Sequence, residues 1–382
     1  MAGDFGRPGA PLQSVVVTVC DGARVIGRCL QALIASDLPR ALWELIVVDD
    51  GSRDGSVSIA AGHADVVVRL PGPPHGPAYA RNRGAEASLG PVIVFVDADV
   101  CVHADALRRI AWAFARRPEL GAMFGSYDAD SPQLGDISQY RNLRHHYAFR
   151  REAGAAETFW AALGAVRREA FLHAGQFDEW RFSRPQIEDV ELGYRLRRLG
   201  YPIGLDPTVQ GTHLKRWTLR GVVRRDLFDR SIPWIRLRLA HGSSGRPGQL
   251  LFRPSEWTDT ALMGLAFLLL VLAALARLPA LAALAGVVAG AVVISSVRLF
   301  WFFGRRRGLV FALRMVPVHL LYHLLSSLAA AWAWVLYQLL GAPTASATVR
   351  AQSEAGPRRW PPHPRRTEAS FWMEGGAGRR EG

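Results

Sequence analysis

Val92–Ile93–Val94–Phe95–Val96 runs straight into Asp97–Ala98–Asp99, and this stretch, VIVFVDAD, decides how the rest of the chain reads. A short unbroken apolar run rich in β-branched residues is the pattern of a strand buried on both faces. Upstream, Ser14–Val19 (SVVVTV), Glu44–Val48 (ELIVV) and Val66–Leu70 repeat it. Between them, Arg24–Ser36 places Val25, Ile26, Cys29, Leu30, Leu33 and Ile34 at helical spacing, and Gly76–Leu89 reads as a helix closed by Gly90–Pro91. Strands alternating with helices imply an α/β domain with a parallel sheet covered on both faces. Ligands of such sheets bind at the carboxyl ends of the strands. Asp49–Asp50 and Asp97/Asp99 both lie at such ends.

Carboxylates converging on a crevice repel a bare phosphate and suit a divalent metal, Mn²⁺ or Mg²⁺, that bridges to phosphate. Neither GxGxxG nor GxxxxGK[ST] follows the first strand, so the glycine-rich phosphate loops are excluded there. The competing reading of Asp97/Asp99 is an N-cap for a helix over Ala104–Arg116. A second acidic pair, Glu188–Asp189, opens a helix carrying Val190, Leu192, Leu196 and Leu199. Acids in a first turn are favoured by the helix dipole alone. The functional reading is a general base at Asp189 beside the crevice. His213, in GTHLKRW, is a candidate metal or phosphate contact, and Arg216–Trp217 a candidate acceptor or diphosphate contact.

The net charge is +13, and Lys215 is the only lysine. A basic balance points to anionic partners. Cys20, Cys29 and Cys101 form no metal-binding pattern and read as small buried hydrophobes. Met1–Gln13 has no apolar signal-peptide core, so the first domain is expected on the cytoplasmic side. Leu219–Leu239 interleaves arginines, Arg225 and Arg230 among them, with apolar residues, the pattern of a helix on an anionic membrane surface or of a soluble surface helix packed on the domain; its place just before the spans favours the membrane. Thr260–Ala276, Ala280–Phe303 and Val316–Leu340 are candidate spans. They make anionic lipid a better partner than nucleic acid. Arg305–Arg307 place the end of the second span inside. The tail is polar and rich in Pro, Gly and Arg, as disordered segments are.

SVVVTVCDGARVIGRCLQAL, ELIVVDDGSRDGS, GPAYARNRGAEASLG, VIVFVDADV, ALGAVRREAFLHAGQFDE and QIEDVELGYRLRRLGY, in that order, resemble glycosyltransferase family 2 over roughly Ser14–Tyr201. The resemblance implies a GT-A fold, a Rossmann-like nucleotide-diphospho-sugar transferase, followed here by C-terminal transmembrane helices. It implies an inverting hexosyl or N-acetylhexosaminyl transfer from a nucleotide-sugar, of which a UDP-sugar is the expected form. Thr18, Asp49, Arg81, Asp97 and Asp99 would hold that donor, with Asp49 reading the base. Asp99, Asp97 and His213 would hold the metal. Asp189 would be the base, with Glu188, Arg216, Trp217 and Ala162–Gly164 on the acceptor side and Phe177–Asp178–Glu179 structural. Cys20–Asp21 departs from the family's usual Tyr-Asn, and Gln210 is too far from Arg216–Trp217 for the processive QxxRW pattern. The alternatives are a nucleotidyltransferase on a related fold and a degenerate scaffold.

The expected organisation is a flexible N-terminus (1–13), the GT-A domain (14–218), an amphipathic interface segment (219–256), a membrane region of about three helices (257–341) and a disordered tail (342–382). The expected setting is the cytoplasmic face of a bacterial inner membrane, with a lipid or lipid-linked acceptor, in cell-envelope glycan synthesis.

Overall fold

The computed structural model describes residues 11–241 and 254–343, together with Ser346 and Val349. Most of the expected flexible N-terminus and disordered tail, and residues 242–253 of the interface segment, lie outside the described residues.

The first half is β1 (Gln13–Val19), α1 (Ala23–Ile34), β2 (Trp43–Asp49), α2 (Ser56–Ala61), β3 (Val66–Arg69), α3 (Pro77–Ala87) and β4 (Val92–Asp97). These four strands are parallel, in the order β3–β2–β1–β4. Side chains alternate across a strand. Val15, Val17 and Val19 therefore enter the core on one face with Ile26, Cys29, Leu30 and Leu33 of α1. Val16 enters the other with Ile46, Val48, Ile93 and Phe95. On that second face α3 lies so close that a Cβ on Gly84 would sit 2.3 Å from Val16 Cγ1. Only a residue without a side chain fits there.

The chain continues as β5 (Val100–Val102), α4 (Ala106–Arg116), β6 (Ala122–Tyr127), α5 (Asp136–Arg151), β7 (Gly154–Ala156), β8 (Leu163–Arg167), α6 (Arg168–His173), α7 (Glu188–Arg198) and β9 (Ile203–His213). The sheet has nine strands and is mixed, which corrects the all-parallel expectation: β8 runs antiparallel to both β4 and β6, and β9 is antiparallel to β5 and β7. The reason lies in the connections. Past β4 helices still intervene, but no two neighbouring strands of the order β4–β8–β6–β9–β5 are consecutive in the chain, so no single crossover helix enforces parallel pairing between them. Asp97–Ala98–Asp99 leads into β5, so these acids do not cap α4, whose N-cap is Asp105.

Beyond β9 come α8 (Leu219–Arg224), a π-helical turn over Arg225–Ser231 and α9 (Ile232–His241). Their apolar residues divide: Leu219, Phe228 and Leu239 are exposed, while others turn inward. Trp234 and Leu237 join the second-face core, with 3% and 0% exposed. Then follow α10 (Pro254–Ala276), α11 (Pro279–Ser295), α12 (Val297–Arg307) and α13 (Leu309–Leu340). Two helices among the described residues are long and apolar enough to cross a membrane: Ser255–Ala276, with mean hydropathy 2.2, and Leu309–Leu340, with 1.5. The expected second span is broken at Ser296, where α11 and α12 meet at 60°, so the total is three only if that bent pair counts as one span. Helices often kink at serines, and here Ser295 Oγ lies 2.6 Å from Asp259 Oδ1 and 2.9 Å from Val292 O, two acceptors for its one proton.

Helix α5 seats the first domain on these helices. Tyr140 and Leu143 pack with Leu299, Phe303, Phe311 and Met315. Tyr140 Oη lies 2.9 Å from His319 Nδ1, and Arg144 pairs with Glu256 of α10.

Candidate active site

A cavity of about 560 Å³ opens at the carboxyl ends of β1 and β4 and extends to α5, the Arg225–Ser231 turn and α13. Thr18, Cys20 and Asp21 line it where β1 ends, and Asp97, Asp99, Glu188, Asp189, His213 and Trp217 share the same wall. Strand pairing assembles this acidic part. Val100 pairs with His213, and Leu214 N donates to Asp99 O, which sets His213 beside Asp99 across 114 residues of sequence. Val96 pairs with Leu163 of β8, and Asp97 N donates to Ala162 O. That places the Ala161 amide where Asp189 Oδ2 accepts its hydrogen bond at 3.1 Å.

The expected donor set does not converge as one group. Asp49 lies one strand out, buried, with its Oδ1 accepting the Ser52 amide at 3.3 Å, and it is not part of the cavity wall. Arg81 is not free for phosphate. Its Nη2 donates to Asp97 Oδ1 and its Nη1 to Glu188 Oε1, both at 2.8 Å, with 8% of the side chain exposed. One guanidinium thus bridges the two acidic motifs, a geometry that only its forked donors allow. Burial works against this cation, but Asp97, Glu188 and Asp189 outweigh it and raise its affinity for the proton.

The expected metal ligands also separate. Asp97 is held by Arg81, while Asp99 Oδ2 and His213 Nε2 face each other at 3.6 Å. Among the described residues no three acidic, His or Cys side chains form a ligand set. One carboxylate and one imidazole, with substrate phosphates and water completing the shell, still fit a divalent ion. His213 is fixed for this by Tyr127, whose ring stacks on it at 4.2 Å and 5°. Burial pushes the Asp99 carboxyl up, yet the His213 hydrogen bond and charge, with Lys215, hold it below the usual carboxylate range.

Asp189 has the opposite environment. Burial, and then the neighbouring Glu188 charge, push it up to about 6, with Arg81 opposing. A carboxyl tuned there is charged at neutral pH and basic enough to take a proton. Its folded pKa is raised by a like charge, so removing that charge moves it down. Glu188→Gln is expected to shift the acid limb of the rate profile to lower pH by roughly one unit, measured as kcat/KM against pH; an unmoved limb would show that Glu188 does not tune Asp189.

On the acceptor side Trp217 lines the cavity but Arg216 does not. In an extended segment neighbouring side chains point to opposite sides. Lys215 and Trp217 turn inward, and Arg216 is exposed on a separate depression with Pro132 and Asp136. Ala162 is on the wall, and Phe177 packs edge-on against Phe95 and Phe171. Cys20 is exposed at the cavity rather than buried; Cys29 is buried as expected. The sequence reading missed Tyr127, Arg141, His145 and Lys215, and it assigned Arg225 and Arg230 to a lipid-facing surface, whereas all six line the cavity. His145 lies between Phe149 at 3.7 Å, Tyr127 at 4.6 Å and Trp160 at 4.8 Å, with both ring nitrogens unpartnered. The one signal available for Lys215 was its being the sole lysine, next to His213.

The family model described as "Glycosyl transferase family 2" matches residues 14–174. Glycosyltransferase AglE of Haloferax volcanii is 33% identical over 103 residues, 26% of this chain and 34% of that protein. Validoxylamine A glucosyltransferase of Streptomyces hygroscopicus subsp. jinggangensis is 26% identical over 232 residues, 51% of this chain and 54% of that protein. The chain spans between about a third and about half the length of these curated relatives. Among solved structures, a mannosyltransferase from Pyrobaculum calidifontis in complex with GDP-Man and Mn²⁺ has a TM-score of 0.53 at 21% identity, covering 86% of this chain and 90% of that one. At that identity the likeness is one of fold.

Proposed function

Residues 14–174 belong to glycosyl transferase family 2, and from that premise we propose that the chain is an inverting glycosyltransferase moving a sugar from a nucleotide-sugar to a hydroxyl of a membrane-held acceptor. The observation that carries this reading is Asp189: a buried carboxyl raised to about 6, tied through Arg81 to the DxD turn, on the wall of the same cavity as Asp99 and His213.

Thr18 and Asp21 bound the nucleotide end, and Asp99 and His213 take the diphosphate end. A divalent ion held by Asp99 and His213 would supply charge stabilisation for the departing diphosphate. Asp189 accepts the proton of the acceptor hydroxyl. The hydroxyl oxygen forms its bond to the anomeric carbon from the face opposite the nucleotide. The bond from that carbon to the diphosphate oxygen breaks, and its electron pair leaves with the nucleoside diphosphate. The sugar passes through a transition state with oxocarbenium character. The Ala161 amide, bonded to Asp189 Oδ2, keeps the carboxylate aimed while it waits. Two helices long and apolar enough to cross a membrane support a site at a bilayer surface, and the cytoplasmic face of the bacterial inner membrane is the proposed location.

UDP is the proposed nucleotide, and GDP the competitor to test, because the similar mannosyltransferase fold was solved with GDP-Man. The test is a thermal-shift screen of the full chain in detergent with UDP, GDP and their sugars, with and without Mn²⁺, followed by turnover of the donors that bind. A ligand at 100 times its Kd stabilises by about 2.7 kcal/mol. A metal-dependent rise in Tm with one nucleotide and turnover of its sugar is the expected result. A panel without any binding or turnover would sink the proposal.

A further inference from the structure

Both signs of charge line the cavity. Asp97, Glu188 and Asp189 gather around Arg81, and Asp99 faces His213. Arg141 and Arg144 of α5 and Arg225 and Arg230 of the turn that packs on α13 line the inner end, with Lys215 between them and Asp99. Two of these are neutralised: Arg141 Nη1 pairs with Asp226 at 2.6 Å, and Arg144 pairs with Glu256. Lys215, Arg225 and Arg230 form no ion pair or hydrogen bond among the described residues. Arg141, Lys215 and Arg225 surround the Trp217 ring at 4.2, 4.9 and 5.7 Å. Burial, then the Arg141 charge, weaken the hold of Arg230 on its proton. A guanidinium nevertheless stays charged in a protein, and Asp226 and Asp189 act on Arg230, like Asp99 and Asp97 on Lys215, only across space and not as bonded partners. Half-buried cations without a bonded counter-ion make a ready site for an anion. The wall beside it is apolar and comes from α13: Val318, Leu321 and Leu325. That helix is itself long and apolar enough to cross a bilayer.

We infer that the inner end of the cavity binds the phosphate of a lipid-linked acceptor, with Arg230, Arg225 and Lys215 on the phosphate and the chain's start along Val318, Leu321 and Leu325. This rests on the glycosyltransferase reading and narrows its acceptor. A phosphate oxygen is already anionic and needs no base to become a nucleophile. The base at Asp189 therefore points to a hydroxyl as the nucleophile, carried on a sugar or other polyol that the phosphate links to the lipid. The phosphate anchors the acceptor and the hydroxyl beyond it reaches Asp189.

The test uses the full chain in neutral detergent without nucleotide-sugar, with dodecyl phosphate, dodecanol and inorganic phosphate as probes in calorimetric titrations. Dodecyl phosphate is expected to bind at least tenfold more tightly than either fragment, and Arg230→Gln to weaken it at least tenfold while leaving UDP and GDP affinities unchanged. Arg225→Gln is expected to give the same loss, so the proposal stays testable if one variant does not fold. Equal binding of dodecyl phosphate and dodecanol would overturn it, since that is partition without recognition. Inorganic phosphate binding as tightly as dodecyl phosphate would overturn the lipid assignment. Displacement of dodecyl phosphate by UDP would also overturn it, because the cations would then serve the donor's diphosphate. Nucleotides that fail to bind would instead count against the glycosyltransferase reading, whatever the lipid probe does.

Discussion

Asp189→Asn is expected to lower sugar transfer by about 10³-fold at neutral pH and, in the same variant, to make the protein more stable. The first effect follows from losing the group that takes the acceptor proton. The second follows from the direction of the pKa shift. The folded chain holds the Asp189 proton more tightly than the unfolded chain, with a pKa of about 6 against an ordinary 3.8. Stability therefore falls as pH rises through this window, and above pH 6 the buried charge costs up to about 3 kcal/mol. Asparagine is neutral at every pH and still offers an oxygen to the Ala161 amide. The gain in Tm should be present at neutral pH and absent near about pH 4. UDP or GDP affinity should be unchanged, since the base touches the acceptor and not the nucleotide. An inactive variant with lower Tm at neutral pH would mean that Asp189 holds structure rather than performs chemistry. A variant that keeps its transfer rate would remove Asp189 from the mechanism. Loss of activity with gain of stability is the signature of a strained functional group.

What the sequence made legible was local. The apolar runs before Asp49 and Asp97 carry their strand assignment in their composition. Their buried character on both faces shows in the split of Val15 and Val17 from Val16 into two cores. Glu188 and Asp189 were readable as a helix start because the apolar spacing behind them is helical. What depends on long-range register was not readable. His213 meets Asp99 only because Val100 pairs with it. No local pattern reports a pairing partner more than a hundred residues away. Arg225 and Arg230 failed for a different reason. Arginines interleaved with apolar residues look alike whether the wet side is a lipid headgroup layer or a cavity, and the fold chose the cavity. The kink at Ser296 escaped because the apolar run continues through it.

Arg81 is where the local reading and the structure diverge most, and its removal is the second large effect expected. The family resemblance implies a contact of Arg81 with the nucleotide-sugar donor. In the fold it joins Asp97 to Glu188, residues 91 apart in sequence, and so makes one rigid object of the donor-side turn and the start of α7. Arg81→Met leaves Glu188, 6% exposed, without a counter-charge. Breaking such a pair costs about 3–5 kcal/mol, expected here as a fall in Tm of roughly 10 °C. Losing the cation also removes the attraction that opposes the rise of Asp189, so the acid limb of the rate profile should move to higher pH. The double variant Arg81→Met/Glu188→Gln separates the two consequences. It takes away the stranded carboxylate, so most of the stability should return. Activity should not, because Asp97 still lacks the bond that holds it. In a double-mutant cycle the coupling should exceed about 2 kcal/mol. A single variant as stable as the parent would mean that the bridge is slack and water already screens it. A double variant that regains both stability and rate would mean that Arg81 matters only as a neutraliser of Glu188. Arg81→Lys probes geometry alone: an ammonium keeps the charge but cannot hold two carboxylates in a fixed fork, so a stable protein with a reduced rate is the outcome expected of a bridge whose direction, and not only its charge, positions the site.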